Sequence, residues 1–129
     1  MTAAIDTNVL VRFLTGDDRA QAAVAADWIS QGFLLLPTVL VETEWVLRAR
    51  YGWPRDRIGA AFRDVIDLPE ALGVPAGMDW VLDRFAAGTD FADMMHLSMA
   101  ADADIFLTFD QRIERVVGDS PPVAVITLI

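Results

Sequence analysis

The amino-acid sequence predicts an α/β fold with a central parallel sheet. Short apolar segments alternate along the chain with longer segments of helical periodicity, and short turns rich in glycine, proline or aspartate separate them. Strands that alternate with helices in this way form parallel sheets with helices on both faces. We expect a single domain over residues 1–129, without a linker.

The first quarter of the chain predicts two strands and two helices. Residues 2–6 (TAAID) form a short apolar segment that indicates a buried strand, and Thr7 or Asn8 is the expected cap of a helix running to about residue 14. The alanine-rich segment RAQAAVAADWIS predicts a second helix that ends near Gly32. The continuous apolar segment FLLLP then predicts a second strand.

The remaining chain continues the alternation. Thr38 is the expected cap of the helix VLVETEWVLRARYG, and Pro54 stands at the favoured first turn of PRDRIGAAFRDVID. Residues 68–76 form an irregular connection that has room for a short strand. MDWVLDRFAAG and DFADMMHLSMAADA predict two more helices, and DIFLTFD and VAVITLI predict the last two strands.

Composition restricts the kind of metal and the location of the protein. No segment approaches the ~20 uninterrupted apolar residues of a membrane span, and Asp6 and Arg12 interrupt what would be the apolar part of a signal peptide. We therefore expect a cytoplasmic protein. The chain has no cysteine and one histidine, which excludes thiolate zinc sites and histidine-rich sites. A metal would be held by oxygen, as Mg²⁺ and Mn²⁺ are.

Charge gives mixed evidence about partners. The formal net charge of −9 repels nucleic acid at long range. It does not exclude a nucleic-acid enzyme, because carboxylates gathered around a cation add negative charge while a local arginine patch still binds phosphate. All ten basic residues are arginine, which excludes mechanisms that need a catalytic lysine. The high apolar content suggests that a partner or a second copy covers part of the surface.

Acidic residues stand at the ends of several predicted elements. Asp6 ends the first strand and Asp110 ends DIFLTFD, while Glu42 lies in the first turns of the helix after the second strand. Asp90 and Asp93 lie three residues apart in the first turn of the helix before DIFLTFD, so one helix face can present both. Because ligands bind beyond the carboxyl ends of parallel strands, these residues predict an acidic pocket.

Each acid alone has a structural explanation that stays open. Helix capping explains Asp90 or Glu42, and turn formation explains Asp6 or Asp110. A site is favoured for the set because Glu42 lies in the apolar segment TVLVETEWVL, where an unpaired buried charge is costly. A divalent cation held by these carboxylates would offset their repulsion and activate water for phosphodiester hydrolysis.

Four segments in order, IDTNVLVRFL, VLVETEWVLR, TDFADMMHLSMA and FLTFD, resemble those of a PIN domain, and more narrowly of the VapC-type toxins of bacterial toxin and antitoxin pairs. This resemblance implies a three-layer α/β/α fold and an endoribonuclease that depends on Mg²⁺ or Mn²⁺. It also implies a homodimer and a cognate antitoxin that silences it. The acidic quartet of the family falls on Asp6, Glu42, Asp93 and Asp110, with Asp90 at the position of an additional acid.

On this resemblance Asp6 and Asp93 are the expected principal metal ligands, and Glu42 and Asp110 complete the set. Asn8 and Thr108 are candidates for steadying the acids, as is Thr7, although helix capping explains Thr7 and Asn8 as well. Arg12 is a candidate contact to an RNA phosphate, with Arg48, Arg50 and Arg112 as alternatives. A solvated face or a local ion pair explains each arginine equally well.

Other residues have expected structural roles. Glu44 is expected on a solvated face, and His96 in the core. The four tryptophans are expected in the core or at partner contacts, and the methionines at 94, 95 and 99 in helix packing. The functional alternative is a catalytically inactive PIN-like scaffold or nucleic-acid-binding module. A receiver domain is disfavoured because it needs a lysine, and a haloacid-dehalogenase-like phosphatase because Asn8 replaces its second aspartate. A flap-type nuclease normally has a longer chain.

Overall fold

The computed structural model describes residues 1–129 and contains seven helices and five strands. It divides into two compact units, Met1–Pro75 (unit 1) and Ala76–Ile129 (unit 2). Every strand pair in either unit is parallel. The predicted α/β class with parallel strands is therefore confirmed, while the single domain over 1–129 stays a prediction.

Unit 1 alternates three short strands with four helices. Its elements are β1 (Ala3–Ala4), α1 (Thr7–Thr15), α2 (Arg19–Ile29), β2 (Phe33–Leu34), α3 (Pro37–Ala49), α4 (Arg55–Ile66) and β3 (Ala71–Leu72). The strands lie in the order β1-β2-β3, with Phe33 opposite Ala3 on one side and Ala71 on the other. Fully buried side chains from these elements form the core of the unit and include Leu10, Phe33, Leu40, Leu47 and Phe62.

Three helices of unit 1 begin differently from the prediction. In α4, Pro54 is the N-cap and not a residue of the first turn. Asp6, and not Thr7 or Asn8, is the N-cap of α1, and its Oδ1 accepts a hydrogen bond from the Thr7 N–H at 2.8 Å. Leu36, and not Thr38, is the N-cap of α3. Pro37 takes the first helical position there, because its fixed φ suits a helix start and its missing N–H costs no hydrogen bond.

Unit 2 contains three helices and two strands. They are α5 (Met78–Ala86), α6 (Phe91–Met99), β4 (Ile105–Thr108), α7 (Ile113–Val116) and β5 (Ala124–Thr127). β4 and β5 pair in register from Ile105 opposite Ala124 to Thr108 opposite Thr127. The rings of Phe85 and Phe91 pack edge to face with centroids 5.4 Å apart, which joins α5 to α6 in the core of the unit.

The strands are shorter than the apolar segments that predicted them. Residues 2–6 contain only a two-residue strand, because Asp6 already caps the next helix. DIFLTFD pairs over Ile105–Thr108, so Asp110 lies two residues beyond the strand. The four-residue helix α7 was not predicted, since so short a segment has no measurable helical periodicity. None of the seven helices combines the length and the apolar character that crossing a membrane requires.

Candidate active site

Unit 1 brings Asp6 and Glu42 to the same edge of its sheet. Asp6 follows β1 and Glu42 lies on the helix that follows β2, and the carboxyl ends of these parallel strands face the same way. Thr7 connects the two segments, because its Oγ1 donates a hydrogen bond to Glu42 Oε1. Both acids are exposed. Asp6 Oδ2 and Glu42 Oε2 accept no hydrogen bond from the protein, so both oxygens are open to a ligand.

The two glutamates of α3 have the opposite of their expected environments. Leu40, Thr43, Glu44 and Leu47 are buried, which places Glu44 on the core face of the helix. Glu44 is 4% exposed and accepts a hydrogen bond at 2.8 Å from Arg48 Nε, one turn later. Glu42 lies off that face and is exposed. The expectation of a buried Glu42 and a solvated Glu44 was therefore wrong.

Unit 2 brings together three of the predicted acids. A helix that precedes a strand runs back beside it, so the N-terminus of α6 lies near the carboxyl end of β4. Asp90 is the N-cap of α6 and accepts a hydrogen bond at 3.0 Å from the Asp93 N–H. The capping explanation of Asp90 is therefore correct, and it leaves the other carboxylate oxygen open.

Asp93 is half-buried, and its carboxylate accepts no hydrogen bond from the protein. Burial raises the pKa of Asp93, and the negative charges of Asp90 and Asp110 raise it further, against the opposing effects of His96 and Arg112. A carboxylate that is desolvated and repelled by its neighbours gains the most from a nearby cation.

Asp110, unlike Asp93, has hydrogen-bond donors for its carboxylate. Arg112 binds both of its oxygens: Oδ1 accepts from the Arg112 N–H at 2.9 Å and from Nε at 3.1 Å, and Oδ2 accepts from Nη2 at 3.0 Å. These hydrogen bonds lower the pKa of Asp110. Thr108 Oγ1 accepts a hydrogen bond at 3.0 Å from the Asp110 N–H, which holds the turn after β4.

The donor set suits a hard divalent cation, since every candidate ligand is a carboxylate. Unit 1 holds Asp6 and Glu42, and unit 2 holds Asp90, Asp93 and Asp110. Neither unit contains a group of three or more aspartate, glutamate or histidine side chains already arranged to hold a metal ion. The open carboxylate of Asp93 is the observation that fits a cation best.

An apolar groove lies between α1 and α2 in unit 1, with a volume of about 730 Å³. Val24 and Trp28 on α2 line it and are 59% and 45% exposed. Asn8 and Arg12 line the side formed by α1. Asn8 is exposed and donates no hydrogen bond to Asp6 or Glu42. Apolar side chains exposed along a groove indicate a surface that binds an apolar segment.

Arg12 takes part in a local network. Its Nη1 lies 3.2 Å from both oxygens of Asp17 and donates at 3.0 Å to the Tyr51 hydroxyl, which itself donates at 2.6 Å to Asp17. Its Nε donates to Gln21 Oε1 at 2.8 Å. The local ion pair that was one explanation of Arg12 is therefore present, and an RNA phosphate would have to compete with it.

Several other expectations are corrected. His96 is exposed rather than packed in the core, because it lies opposite the buried positions of α6. Met94 and Met95 are buried as expected, but Met99 is 57% exposed. None of the four tryptophans is fully buried: Trp28 and Trp45 are exposed, and Trp53 and Trp80 are half-buried. A core role is therefore wrong for Trp28 and Trp45, and the expected partner contacts stay a prediction.

The partners in two contacts at the site were not predicted, although a local ion pair was one of the explanations left open for Arg112. The Thr7 to Glu42 hydrogen bond joins residues 35 positions apart, and no local pattern signals such a contact. The bidentate pair of Asp110 and Arg112 depends on the turn after β4. The spacing of Glu44 and Arg48 at i and i+4, by contrast, was a signal in the sequence for their ion pair.

The comparisons with known proteins give one match. A family model described as "PIN domain" matches residues 3–119, whereas no curated protein and no solved structure matches the chain. PIN domains are generally nucleases, and these nucleases generally use divalent metal ions. With a match that covers most of the sequence and an α/β fold of parallel strands, the chain belongs to the PIN domain family.

Proposed function

We propose that this protein is a metal-dependent endoribonuclease and the toxin of a VapBC-type toxin and antitoxin pair. The observation that supports it most is Asp93, which is half-buried, has no hydrogen-bond partner for its carboxylate and is repelled by Asp90 and Asp110. Desolvation and like charges disfavour the ionised form of such a carboxylate, and a bound cation would offset this cost. Asp93 stands at a position that the family resemblance assigns to a metal ligand.

Asp6 and Asp93 are the proposed principal ligands of Mg²⁺ or Mn²⁺, with Glu42, Asp110 and Asp90 as the remaining members of the set. When bound, the cation polarises a phosphoryl oxygen and activates water for attack on the RNA phosphodiester. The open oxygens of Asp6 and Glu42 support their role as ligands, since the other oxygen of each is already oriented by Thr7.

Neighbouring polar residues hold these carboxylates in place. Thr7 orients Asp6 through its N–H and Glu42 through its hydroxyl, and Thr108 fixes the backbone at Asp110. Removal of such supporting contacts typically costs about 10- to 100-fold in metal affinity or activity. We propose a weaker role for Asn8, which is exposed and lines the groove beside Asp6.

RNA binding by so acidic a chain requires cations at the site. The net charge of −9 opposes the approach of RNA, and a bound metal together with local arginines would offset it. Arg12 is the proposed phosphate contact in unit 1. Its guanidinium is shared with Asp17 and Tyr51, so binding of a phosphate would require exchange of at least one of these partners.

The proposed protein partners are a cognate antitoxin and a second copy of the chain, in the cytoplasm. The groove between α1 and α2 is large enough for an apolar segment, and the negative charge of the chain favours a segment flanked by basic residues. One face of the β4-β5 sheet exposes Ile105, Leu107 and Ile126, which supports a homodimer.

An RNA cleavage assay tests the proposed function. The protein purified free of antitoxin should cut RNA with Mg²⁺ or Mn²⁺, and Asp6→Asn, Glu42→Gln and Asp93→Asn should each lose most of this activity while remaining folded. Asp64→Asn, an exposed acid of α4, is the matched control and should retain full activity. Cleavage that persists in EDTA would contradict a metal-dependent reaction. A map of the RNA ends produced on brief expression would identify the target.

The second candidate is a scaffold or nucleic-acid-binding module without catalysis. Two observations favour it. Neither unit has three acids already arranged to hold a metal ion, and Asp110 is paired with Arg112. Melting curves separate the two candidates. If Mn²⁺ changes the melting temperature of neither the wild type nor Asp6→Asn, the scaffold is supported. If Mn²⁺ raises the melting temperature of the wild type but not that of Asp6→Asn, the enzyme is supported.

A further inference from the structure

Arg112 binds both carboxylate oxygens of Asp110. Three donors of one residue, the N–H, Nε and Nη2, bind the two oxygens of the carboxylate at 2.9 to 3.1 Å. The Arg112 side chain is nevertheless 84% exposed, and all of its hydrogen bonds to the protein go to Asp110. Asp110 is 31% exposed and reachable by a ligand from solvent once the guanidinium moves.

A cation and this guanidinium cannot share Asp110 without cost. Both are positively charged and both use the same carboxylate oxygens, so they would lie within a few ångströms of each other and repel. Arg112 also lies close enough to Asp90 and Asp93 to be stabilised by their negative charges. It therefore partly neutralises the same acids that a cation would neutralise.

We propose that Arg112 is a built-in counter-ion that competes with the divalent cation for Asp110 and, once displaced, binds a phosphate of the RNA. This inference rests on the proposed function, because it takes Asp110 as a metal ligand. The Arg112 N–H belongs to the backbone, so it can stay hydrogen-bonded to Asp110 Oδ1 while the side-chain guanidinium turns away. A planar, exposed guanidinium released beside the acids is well suited to bidentate binding of phosphate.

Metal affinity tests the competition without any measurement of catalysis. Binding of Mn²⁺ is measured by titration calorimetry or by the loss of the free Mn²⁺ electron paramagnetic resonance signal. Arg112→Gln should bind Mn²⁺ about threefold to fivefold more tightly than the wild type, the upper part of the range for an exposed ion pair that no longer has to be broken. Arg112→Lys should lie between them, because it keeps the charge but loses the fork.

Arg115→Gln is the matched control, since it removes one exposed positive charge three residues further along the same short segment. It should leave Mn²⁺ affinity within twofold of the wild type. Equal or weaker Mn²⁺ binding by Arg112→Gln would overturn the competition. An equal gain in Arg115→Gln would also overturn it, because the effect would then be one of net charge.

Asp110→Asn separates this inference from the proposed function. If the wild type binds Mn²⁺ and Asp110→Asn binds it more weakly, the proposed site stands and the Arg112→Gln result decides the inference. If Asp110→Asn binds Mn²⁺ like the wild type, the inference fails while a metal site at the other acids survives. Absence of Mn²⁺ binding in every variant would overturn both.

Binding of a short fluorescent RNA tests the second half of the inference. Fluorescence anisotropy is measured with and without Ca²⁺, which occupies oxygen sites. The wild type and Arg115→Gln should gain RNA affinity with the cation, and Arg112→Gln should gain at least threefold less. An equal gain in Arg112→Gln would show that the released guanidinium does not bind phosphate.

Discussion

At the scale of single residues, two aspartates of unit 2 show how the surroundings of a carboxylate determine its chemistry. Asp93 has no hydrogen-bond donor, is half-buried and has a raised pKa, whereas Asp110 accepts three hydrogen bonds from Arg112 and has a lowered pKa. A cation would therefore stabilise the ionised form of Asp93 more than that of Asp110, because Asp110 already has Arg112 as a positively charged partner.

The raised pKa of Asp93 predicts a dependence of stability on pH. The folded protein holds the Asp93 proton more tightly than the unfolded chain, so this residue loses its stabilising contribution as the pH rises above the ordinary aspartate value of about 3.9 and through the raised pKa. Asp93→Asn does not titrate, and its melting temperature without metal should exceed that of the wild type by an amount that grows as the pH rises above about 3.9 and becomes constant above the raised pKa.

Melting temperatures across this pH range, in EDTA, check the Asp93 prediction. Asp64→Asn serves as the control and should follow the wild type at every pH. Addition of Mn²⁺ at pH 7 should reverse the order of the wild type and Asp93→Asn, since only the wild type keeps the ligand. A difference that is constant with pH would contradict the raised pKa as its cause.

Because Glu44 is buried, loss of its partner Arg48 should clearly destabilise the folded protein. Arg48→Met leaves the Glu44 carboxylate on the core face of α3 without its hydrogen bond, and should lower the free energy of unfolding by about 1–3 kcal/mol in urea denaturation. The double variant Glu44→Leu/Arg48→Met removes the charge as well and should recover most of this loss. Failure to recover would mean that Arg48 stabilises the protein through contacts other than the one with Glu44.

At the scale of elements, helix starts place most of the candidate ligands. Asp6 caps α1 and Asp90 caps α6, while Asp93 lies in the first turn of α6. A capping carboxylate uses one oxygen for the backbone N–H and leaves the other open. Capping and metal binding are therefore compatible in these residues, and substitutions are needed to separate the two roles.

Asp90 allows that separation. Asp90→Ala removes the cap of α6 and should cost about 1 kcal/mol, whereas Asp90→Ser keeps a capping oxygen and should cost only a few tenths of that. If Asp90 is also a ligand, Asp90→Ser should weaken Mn²⁺ binding despite its near-normal stability. Urea denaturation and Mn²⁺ titration of both variants check this, and unchanged Mn²⁺ affinity in Asp90→Ser would assign Asp90 to capping alone.

At the scale of the whole molecule, the high apolar content leaves exposed surfaces in both units. Unit 1 exposes Val24 and Trp28 along its groove, and unit 2 exposes Ile105, Leu107 and Ile126 on one face of the β4-β5 sheet. The net charge of −9 keeps copies of the chain apart except where such uncharged surfaces meet.

The two surfaces predict separate partners. Leu107→Glu should shift the proposed dimer to monomer in size-exclusion chromatography with light scattering, and should leave binding of the proposed antitoxin intact. Val24→Glu places the same charge in the groove and should weaken binding of the proposed antitoxin at least tenfold without changing the oligomeric state. Each variant is the control for the other, and a dimer that survives Leu107→Glu would exclude this face of the sheet as the dimer contact.

The sequence by itself determined the α/β class, the order of the elements apart from α7, and the positions of the acids in the chain. Alternating apolar and helical segments are local patterns, and they correctly placed α1 after β1 and α6 before β4. The family segments around Asp6, Glu42, Asp93 and Asp110 are likewise contiguous in the chain, which is why they were recognisable without coordinates.

Only the tertiary structure decided which side chains are buried and which are already paired. The core face of α3 contains Glu44 and not Glu42, and this depends on the rotation of the helix against its neighbours. Thr7 contacts Glu42, 35 positions away in the chain, and Arg112 forms a bidentate ion pair with Asp110 because of the turn after β4. These contacts join distant segments or depend on a single turn, so no periodic pattern in the sequence could signal them.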